Sequence, residues 1–278
     1  MKLGIVGNGY VGQATALLQS EDIEVLIWDT DRNKRNIQSI EQLSSCDLVF
    51  VCVPTPMNND GSCHVEIVES VVDELYNLGI KKDHIIVRST VSVGTCERLG
   101  VSFMPEFLTE ANWEQDFKNN RNFIFGFDLP ETWEEKLSGN LASQKMLQLA
   151  ALAGKDVLVL TTKEAELVKY TRNTFLATKV SFFNEIEEFC TKTSISYENV
   201  RGGVCLDDRI PQSHTQVPGP DGKRGYGGTC FPKDVDSLLY QMLDENMIPF
   251  ILNACRTRNI ERDRSEKDWQ NNKGRSVL

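Results

Sequence analysis

The stretch that decides the fold is Lys2-Leu3-Gly4-Ile5-Val6-Gly7-Asn8-Gly9-Tyr10-Val11-Gly12, at the start of the chain. Residues 2–6 are typical of a buried strand, and the residues after Gly12 have helical patterning. In the G-x-G-x-x-G turn between them, Gly7 allows a tight turn, Gly9 lets a pyrophosphate approach the backbone, and Gly12 permits close helix packing. The stretch therefore predicts a Rossmann-type dinucleotide-binding unit.

A second strand-like run, residues 24–28, ends at Asp29. An acid about 20 residues after the glycines accepts hydrogen bonds from the adenosine ribose hydroxyls, and it would repel a 2′-phosphate. Asp29 therefore predicts NAD rather than NADP as the cofactor. Lys34 is close enough in sequence to join the ribose site, although an ordinary solvated helix lysine would look the same.

Short apolar runs alternate with helical segments through the first half of the chain, which is typical of a parallel α/β sheet. Further strands are expected at residues 48–53, 85–87, 122–125 and 156–160. The NAD-binding domain is therefore expected to span residues 1–160. Ligands bind at the carboxyl ends of such strands, and this places Thr55 and Thr90 at the expected cofactor edge.

Composition excludes several classes of function. The formal net charge of the 278 residues is −10, which argues against a nucleic-acid-binding surface. The eight cysteines form no C-x-x-C pair, the three histidines lack ligand spacing, and no apolar run reaches the roughly 20 residues of a membrane helix. We expect reduced thiols, no metal site, no membrane span and, without a signal peptide, a cytoplasmic location.

The second half of the chain is patterned differently. Residues 163–190 contain no glycine or proline, and their apolar residues recur mostly at helical intervals. One long helix of roughly 40 Å is therefore expected to leave the first domain. It would form the spine of a smaller helical domain at residues 161–262, and its apolar face could pair with a second subunit. Residues 263–278 are expected to form a charged C-terminal tail.

Residues 200–228 are rich in Gly, Pro and polar residues, which predicts a long ordered loop that covers a functional site. Helices are expected to follow at residues 236–246 and 249–261.

The loop leads into Gly225-Tyr226-Gly227-Gly228-Thr229-Cys230-Phe231-Pro232-Lys233-Asp234. Its glycines let backbone N–H groups approach a substrate, and the Lys233 cation favours the reactive thiolate form of a cysteine. The alternative is a buried structural cysteine beside a loop. The neighbouring glycines, Lys233 and Asp234 favour the interpretation of Cys230 as a nucleophile.

Two pairs of polar residues are spaced four apart. Lys169 and Asn173 would share one face of the predicted long helix, where a cation and an amide donor could stabilise an oxyanion. Glu106 and Glu110 would share a face if residues 104–110 are helical. Taken alone, all four could be ordinary surface residues.

Together these motifs resemble the UDP-glucose 6-dehydrogenase family, within the wider UDP-glucose/GDP-mannose dehydrogenase superfamily. The resemblance runs through most of the chain and rests on six ordered motifs: residues 7–12, 53–56, 89–95, 105–108, Lys169 with Asn173, and 227–234. It implies an NAD-dependent four-electron oxidation of UDP-glucose to UDP-glucuronate, a precursor for polysaccharide biosynthesis. The reaction would pass through a thiohemiacetal and a thioester on Cys230.

The resemblance also implies residue roles. Lys169 and Asn173 would hold the developing oxyanion at C6. Thr90 and Asp234 would position a water for proton transfer, and Glu106 would take part in thioester hydrolysis. The expected catalytic residues are Cys230, Lys169, Asn173, Asp234, Thr90 and Glu106.

Binding residues follow from the same resemblance. Cofactor contacts are expected at Gly7, Gly9, Tyr10, Val11, Gly12, Asp29, Lys34, Thr55, Thr90 and Glu110. Substrate contacts are expected at Glu106, Phe107, Leu108, Lys169, Asn173, Arg209, Tyr226 and Gly227. Arg209 resembles an arginine that reaches into a neighbouring subunit's site, which implies a homodimer.

The chain departs from the family in two ways. Many members continue into a third, α/β domain that holds the nucleotide end of the substrate, and this chain stops before it. Ser92 replaces a common proline. We interpret the chain as a naturally short form, or a truncated copy, that lacks the C-terminal UDP-binding domain. Three functions stay open: a UDP-glucose dehydrogenase, a 6-dehydrogenase of GDP-mannose or a UDP-N-acetylhexosamine, and a non-catalytic NAD-binding remnant.

Overall fold

The structure is a computed structural model that describes residues 1–127 and 141–278. Residues 128–140 of the expected NAD-binding domain lie outside the described residues. The chain divides into two compact units. The first unit contains residues 1–55 and 64–169, and the second unit contains residues 56–63 and 170–278.

The first unit is built on a sheet, in agreement with the expected α/β class. Its described strands are β1 (Lys2–Val6), β2 (Glu24–Trp28), β3 (Leu48–Val51), β4 (Ile85–Val87), β5 (Ser102–Phe103), β6 (Asn122–Phe127) and β7 (Asp156–Thr161). They are ordered β2-β1-β3-β4-β5-β6-β7 across the sheet. The pairs are parallel except for β5 with β6, which pair antiparallel through Phe103 and Gly126. The two-residue strand β5 was not expected, because so short a strand leaves no periodic pattern.

Both faces of the sheet pack against apolar clusters, as the residues of β3 illustrate. All four of its residues are buried. Successive side chains of a strand point to opposite faces, so Leu48 and Phe50 enter one apolar cluster while Val49 and Val51 enter the other. The helices of this unit are α1 (Tyr10–Ala16), α2 (Glu66–Asn77), α3 (Thr95–Leu99), α4 (Trp113–Asn119) and α5 (Leu141–Leu152).

The predicted long helix is confirmed as α6, Thr162–Lys192, which has 31 residues. Its residues up to Lys169 belong to the first unit, and those from Tyr170 onward belong to the second. The other helices of the second unit are α7 (Tyr197–Val204), α8 (Phe231–Asp244), α9 (Phe250–Arg258) and a π-helical turn (Asn259–Asp263) that continues α9. The expected loop therefore begins later than residue 200, since α7 extends to Val204.

The C-terminal residues are packed within the second unit. Trp269 and Ser276 are buried. The Met57 N–H donates to the Ser276 carbonyl oxygen at 2.9 Å, and the Leu278 N–H donates to the Met57 carbonyl oxygen at 3.2 Å. The segment 56–63 and the last residues thus stabilise each other. Among the described residues, no helix has the length and apolarity needed to cross a membrane.

Candidate functional site

The glycine turn after β1 has the geometry expected of a dinucleotide site. Gly7 has a φ of +91°, and a Cβ there would lie 2.8 Å from the Cys52 carbonyl oxygen. A Cβ on Gly12 would overlap the Gly7 carbonyl oxygen, whereas a Cβ on Gly9 would meet no atom within 4 Å. The protein's own packing thus requires Gly7 and Gly12. At Gly9 it leaves open space, which fits the approach of a pyrophosphate to the backbone.

These glycines can be separated by a matched pair of substitutions. Gly12→Ala should destabilise the protein by about 3 kcal/mol or more, because its Cβ would collide with backbone. Gly9→Ala should leave the free energy of unfolding within about 1 kcal/mol of wild type and weaken NAD binding at least about tenfold. Urea unfolding and calorimetric titration with NAD measure the two effects. Unchanged NAD affinity in Gly9→Ala would remove the pyrophosphate from this turn.

Asp29 directly follows β2 and is hydrogen-bonded to the glycine turn. Its carboxylate accepts from the Asn8 N–H at 2.7 Å and from the Asp31 N–H at 2.8 Å. The Asn8 side chain donates to the Lys34 carbonyl oxygen at 2.6 Å. The buried Asn8 Oδ1 has no partner among the described residues, and this orphaned acceptor suits a bound hydroxyl. Sequence reasoning missed Asn8. It predicted Lys34 at the ribose site, and the Lys34 side chain is exposed in this structure.

The other expected cofactor residues of the first unit lie in three places. Tyr10 and Val11 form the first turn of α1, while Thr55 and Thr90 follow the neighbouring parallel strands β3 and β4. Both threonines therefore lie at the same edge of the sheet as the glycine turn. Glu110 belongs to an irregular segment, so it does not share a helical face with Glu106; residues 104–110 form no helix.

Glu106 is a buried carboxylate whose two oxygens are both engaged. Oε1 accepts from Lys169 Nζ at 2.5 Å, and Oε2 accepts from the Leu108 N–H at 2.8 Å. Lys169 also donates to the Glu106 carbonyl oxygen at 2.8 Å, and it lies 5.8 Å from the Phe107 ring centre. Only 2% of Lys169 is exposed, which excludes a solvated lysine.

The charge of Glu106 follows from these contacts. Burial alone would raise the pKa of its carboxyl, but Lys169 and the Leu108 N–H together outweigh burial and lower the pKa, with a smaller contribution from Arg88. Arg88 itself is buried, and its Nη1 donates to Thr15 Oγ1 at 3.1 Å. The first unit thus holds an ionised carboxylate that is paired with buried Lys169 and further stabilised by the charge of buried Arg88.

In the second unit, Cys230 is half-buried and immediately precedes α8. Like the other seven cysteines, it is not part of a disulfide. The preceding Gly228 has a φ of +73°, a left-handed conformation that favours glycine. Pro232, in the first turn of α8, suits a helix start because its missing N–H has no intrahelical partner there.

Asp234 organises the polar groups next to Cys230. It is 0% exposed, and its Oδ2 accepts from Asn173 Nδ2 at 2.6 Å while Oδ1 accepts from Lys233 Nζ at 2.5 Å. Burial disfavours the charged form of Lys233, but Asp234, together with smaller contributions from Cys63 and Cys230, outweighs burial and raises the lysine pKa. Lys233, the cation expected near the thiol, is paired with the Asp234 carboxylate.

The remaining predicted substrate residues have contrasting environments. The Tyr226 side chain is buried in an apolar cluster with Ala177 and Val235, and burial raises its pKa. Gly227 lies against the Arg264 guanidinium. The Arg209 side chain is 88% exposed and pairs with Asp207 at 2.5 Å. Arg209 thus has the exposure that an inter-subunit contact would need.

The fold and the glycine turn define an α/β protein of the dinucleotide-binding class. Within the described ranges, no cluster of three His, Cys, Asp or Glu side chains could hold a metal ion. The sequence also matches two parts of one family: the NAD binding domain of the UDP-glucose/GDP-mannose dehydrogenase family over residues 34–138, and its central domain over residues 163–261. Together these matches cover well over half of the chain.

The chain therefore belongs to the UDP-glucose/GDP-mannose dehydrogenase family. The resemblance drawn from the six sequence motifs is confirmed, and NAD is the cofactor. The UDP-glucose 6-dehydrogenase of Pseudomonas aeruginosa is 31% identical, with 93% of this chain and 65% of that protein covered. The chain thus spans about two thirds of that relative's length.

Solved structures agree in fold. A UDP-glucose dehydrogenase from the archaeon Pyrobaculum islandicum has a TM-score of 0.77 at 25% identity, over 91% of this chain and 66% of that chain. A GDP-mannose dehydrogenase from Pseudomonas aeruginosa has a TM-score of 0.63 at 23% identity, over 96% of this chain and 69% of that chain.

Proposed function

We propose that this protein oxidises a nucleotide sugar, UDP-glucose, to the corresponding uronate in two NAD-dependent steps, with Cys230 as the nucleophile. The observation that carries the proposal is the buried Asn173–Asp234–Lys233 cluster at the start of the helix that the half-buried Cys230 thiol precedes. A thiol in that setting has a cation to favour its anionic form. A purely structural cysteine would need none of these polar neighbours.

The first step would convert the C6 alcohol to an aldehyde. Bound NAD supplies a hydride acceptor in each of the two oxidations. The hydroxyl proton leaves through a water that Thr90 and Asp234 position, and the developing C6 oxyanion accepts hydrogen bonds from Lys169 and Asn173. Both donors already point their polar atoms at carboxylates, Glu106 and Asp234 respectively, so their side chains are held in defined positions.

The later steps would use the thiol. The Cys230 thiolate adds to the aldehyde carbon to give a thiohemiacetal, and loss of a hydride and a proton gives a thioester. Water then adds to the thioester carbon, the thiolate leaves, and the uronate is released. Glu106 would direct that water. Its low pKa keeps it in the anionic form that accepts the water's proton.

The residues for NAD would be those at the first unit's glycine turn and neighbouring strand ends. Asp29 would bind the adenosine ribose, Gly9 would lie against the pyrophosphate, and Glu110 would add a contact on the cofactor side. The Lys34 carbonyl oxygen accepts a hydrogen bond from the Asn8 side chain in this structure. Lys34 would therefore contribute to the ribose site through its backbone.

A homodimer is part of the proposal. Phe175, Phe182 and Phe189 are 65%, 58% and 60% exposed, and their spacing of seven residues places them along one side of α6. Such an aromatic stripe supports pairing with a second copy, to which Arg209 would contribute its exposed guanidinium. A role in polysaccharide biosynthesis is proposed from membership of the family. A cytoplasmic location is proposed as well.

The identity of the sugar nucleotide is tested with a substrate panel. The purified protein is incubated with NAD and, in separate reactions, UDP-glucose, UDP-N-acetylglucosamine, UDP-N-acetylmannosamine and GDP-mannose, and NADH formation is followed. We expect the largest kcat/KM with UDP-glucose. A larger value with another sugar would replace the substrate while keeping the chemistry, and NAD binding without turnover of any sugar would favour a non-catalytic remnant.

A further inference from the structure

The backbone of Tyr226 is held by a side chain that no motif singled out. The Tyr226 N–H donates to Asn259 Oδ1 at 2.9 Å, and Asn259 Nδ2 donates to the Tyr226 carbonyl oxygen at 3.0 Å. Asn259 is 1% exposed and lies at the start of the π-helical turn after α9. One amide therefore satisfies both polar backbone groups of a buried residue, as a neighbouring strand would.

Local packing requires glycine at the two positions that flank Tyr226. A Cβ on Gly225 would overlap Asn259 Oδ1, and a Cβ on Gly227 would lie 2.5 Å from Arg264 Cζ. The Gly225 N–H also donates to Asn184 Oδ1 at 3.1 Å. The segment is thus pressed directly onto the polar side chains beneath it, which leaves no room for side chains of its own at these two positions.

Arg264 holds the same segment at two points. It is 3% exposed, and its Nη2 donates to Asp221 Oδ2 at 2.6 Å, before the glycines. Its Nε and Nη2 both donate to the carboxylate of Asp268 at 2.9 Å, a bidentate pairing that orients the guanidinium. The guanidinium face then supports Gly227. A lysine could keep the charge but could not keep this planar fork.

The chain between this anchored segment and Cys230 is short. Only Gly228 and Thr229 intervene between Gly227 and the cysteine, and Gly228 is exposed with open space around its Cα. Movement at Tyr226 would therefore be passed to Cys230 with little chain to absorb it.

We propose that Asn259 and Arg264 are positioning residues that fix the segment from Asp221 to Gly227 and thereby the place of the Cys230 thiol. This inference rests on the proposed function where it gives Cys230 the role of nucleophile. Neither residue touches the reacting atoms in this account; both act through the backbone that precedes the cysteine.

The test uses Asn259→Ser, which cannot reach both Tyr226 groups, and Arg264→Lys, with Asn253→Ser as the control because Asn253 is an exposed asparagine on α9. The first readout is the alkylation rate of Cys230 by iodoacetamide relative to Cys205 in the same chain, followed by peptide mass spectrometry. Cys205 is a half-buried free thiol of the same unit. We expect the ratio to rise at least about fivefold in both variants, since a loosened segment opens locally more often.

The second readout is kinetic. We expect kcat with UDP-glucose to fall by up to about 100-fold in Asn259→Ser, since small misplacements of a reacting group have effects of that size. NAD affinity and the Asn253→Ser control should match wild type. If Asn259→Ser does not fold, Arg264→Lys decides with the same readouts.

A lower melting temperature with an unchanged alkylation ratio would assign these residues to fold stability alone and overturn the inference. Absence of NADH formation by the wild-type protein would count against the proposed function instead. In that case the alkylation ratio still decides whether Asn259 and Arg264 position Cys230.

Discussion

Cys230→Ser is expected to abolish formation of the uronate, with kcat reduced about 1000-fold or more, while NAD affinity stays at the wild-type value. Loss of an essential nucleophile has effects of this size or larger. The serine hydroxyl is a far weaker nucleophile than a thiolate at neutral pH, so the aldehyde would not be captured. NADH formation and calorimetric titration with NAD measure the two quantities.

Cys205→Ser is the matched control, because Cys205, like Cys230, is a half-buried cysteine of the second unit that is not part of a disulfide. It should retain wild-type turnover. In single-turnover experiments Cys230→Ser should release no more than one NADH per bound sugar, since only the first oxidation precedes thiol addition. Wild-type turnover in Cys230→Ser would eliminate the covalent mechanism.

Lys169→Met is expected to impair both stability and catalysis. The Glu106 carboxylate would lose the cation 2.5 Å away, and breaking one partner out of a buried pair costs about 3–5 kcal/mol of unfolding free energy. Removal of the proposed oxyanion donor should in addition reduce kcat by about 100-fold or more. Lys163→Met, on the same helix but at an exposed ion pair with Glu97, should change neither quantity measurably.

The loss of stability in Lys169→Met should depend on pH. In wild type the Glu106 pKa is depressed, so the pair stabilises the fold above the carboxyl's unfolded pKa, and this contribution is lost as the pH falls through the folded value. The difference between wild type and variant, measured by urea unfolding, should therefore be large at pH 8 and smaller at pH 4.

A double variant separates the two effects. Lys169→Met with Glu106→Gln removes both charges, so stability at pH 8 should recover substantially while catalysis stays impaired. If the double variant regained wild-type kcat, neither Lys169 nor Glu106 would be a catalytic residue. A pH-independent loss of stability in the single variant would contradict the charge assignment of Glu106.

The cofactor half of the fold could be predicted from the sequence because its information is local. Gly7, Gly9 and Gly12 are close along the chain, and each tolerates or rejects a Cβ for reasons that the motif encodes. The 31-residue helix α6 could also be predicted, since its apolar period continues without glycine or proline. The two-residue strand β5 was not, because its pairing is set by the neighbouring strands.

The partners of the site residues could not be predicted, because they are distant in sequence. Lys169 pairs with Glu106 across 63 positions, and Asn259 holds Tyr226 across 33 positions. The motifs named the types of residue that the chemistry needs. Their burial and their ion pairs depend on which elements the fold brings together, and no spacing rule encodes that.

The most direct test of the central claim is the number of NADH molecules formed per UDP-glucose consumed, measured with the purified wild-type protein and Cys230→Ser in parallel. The proposed four-electron oxidation predicts two NADH per sugar and a uronate product, with both lost in the variant. One NADH per sugar with an aldehyde product, or full activity without the thiol, would contradict it.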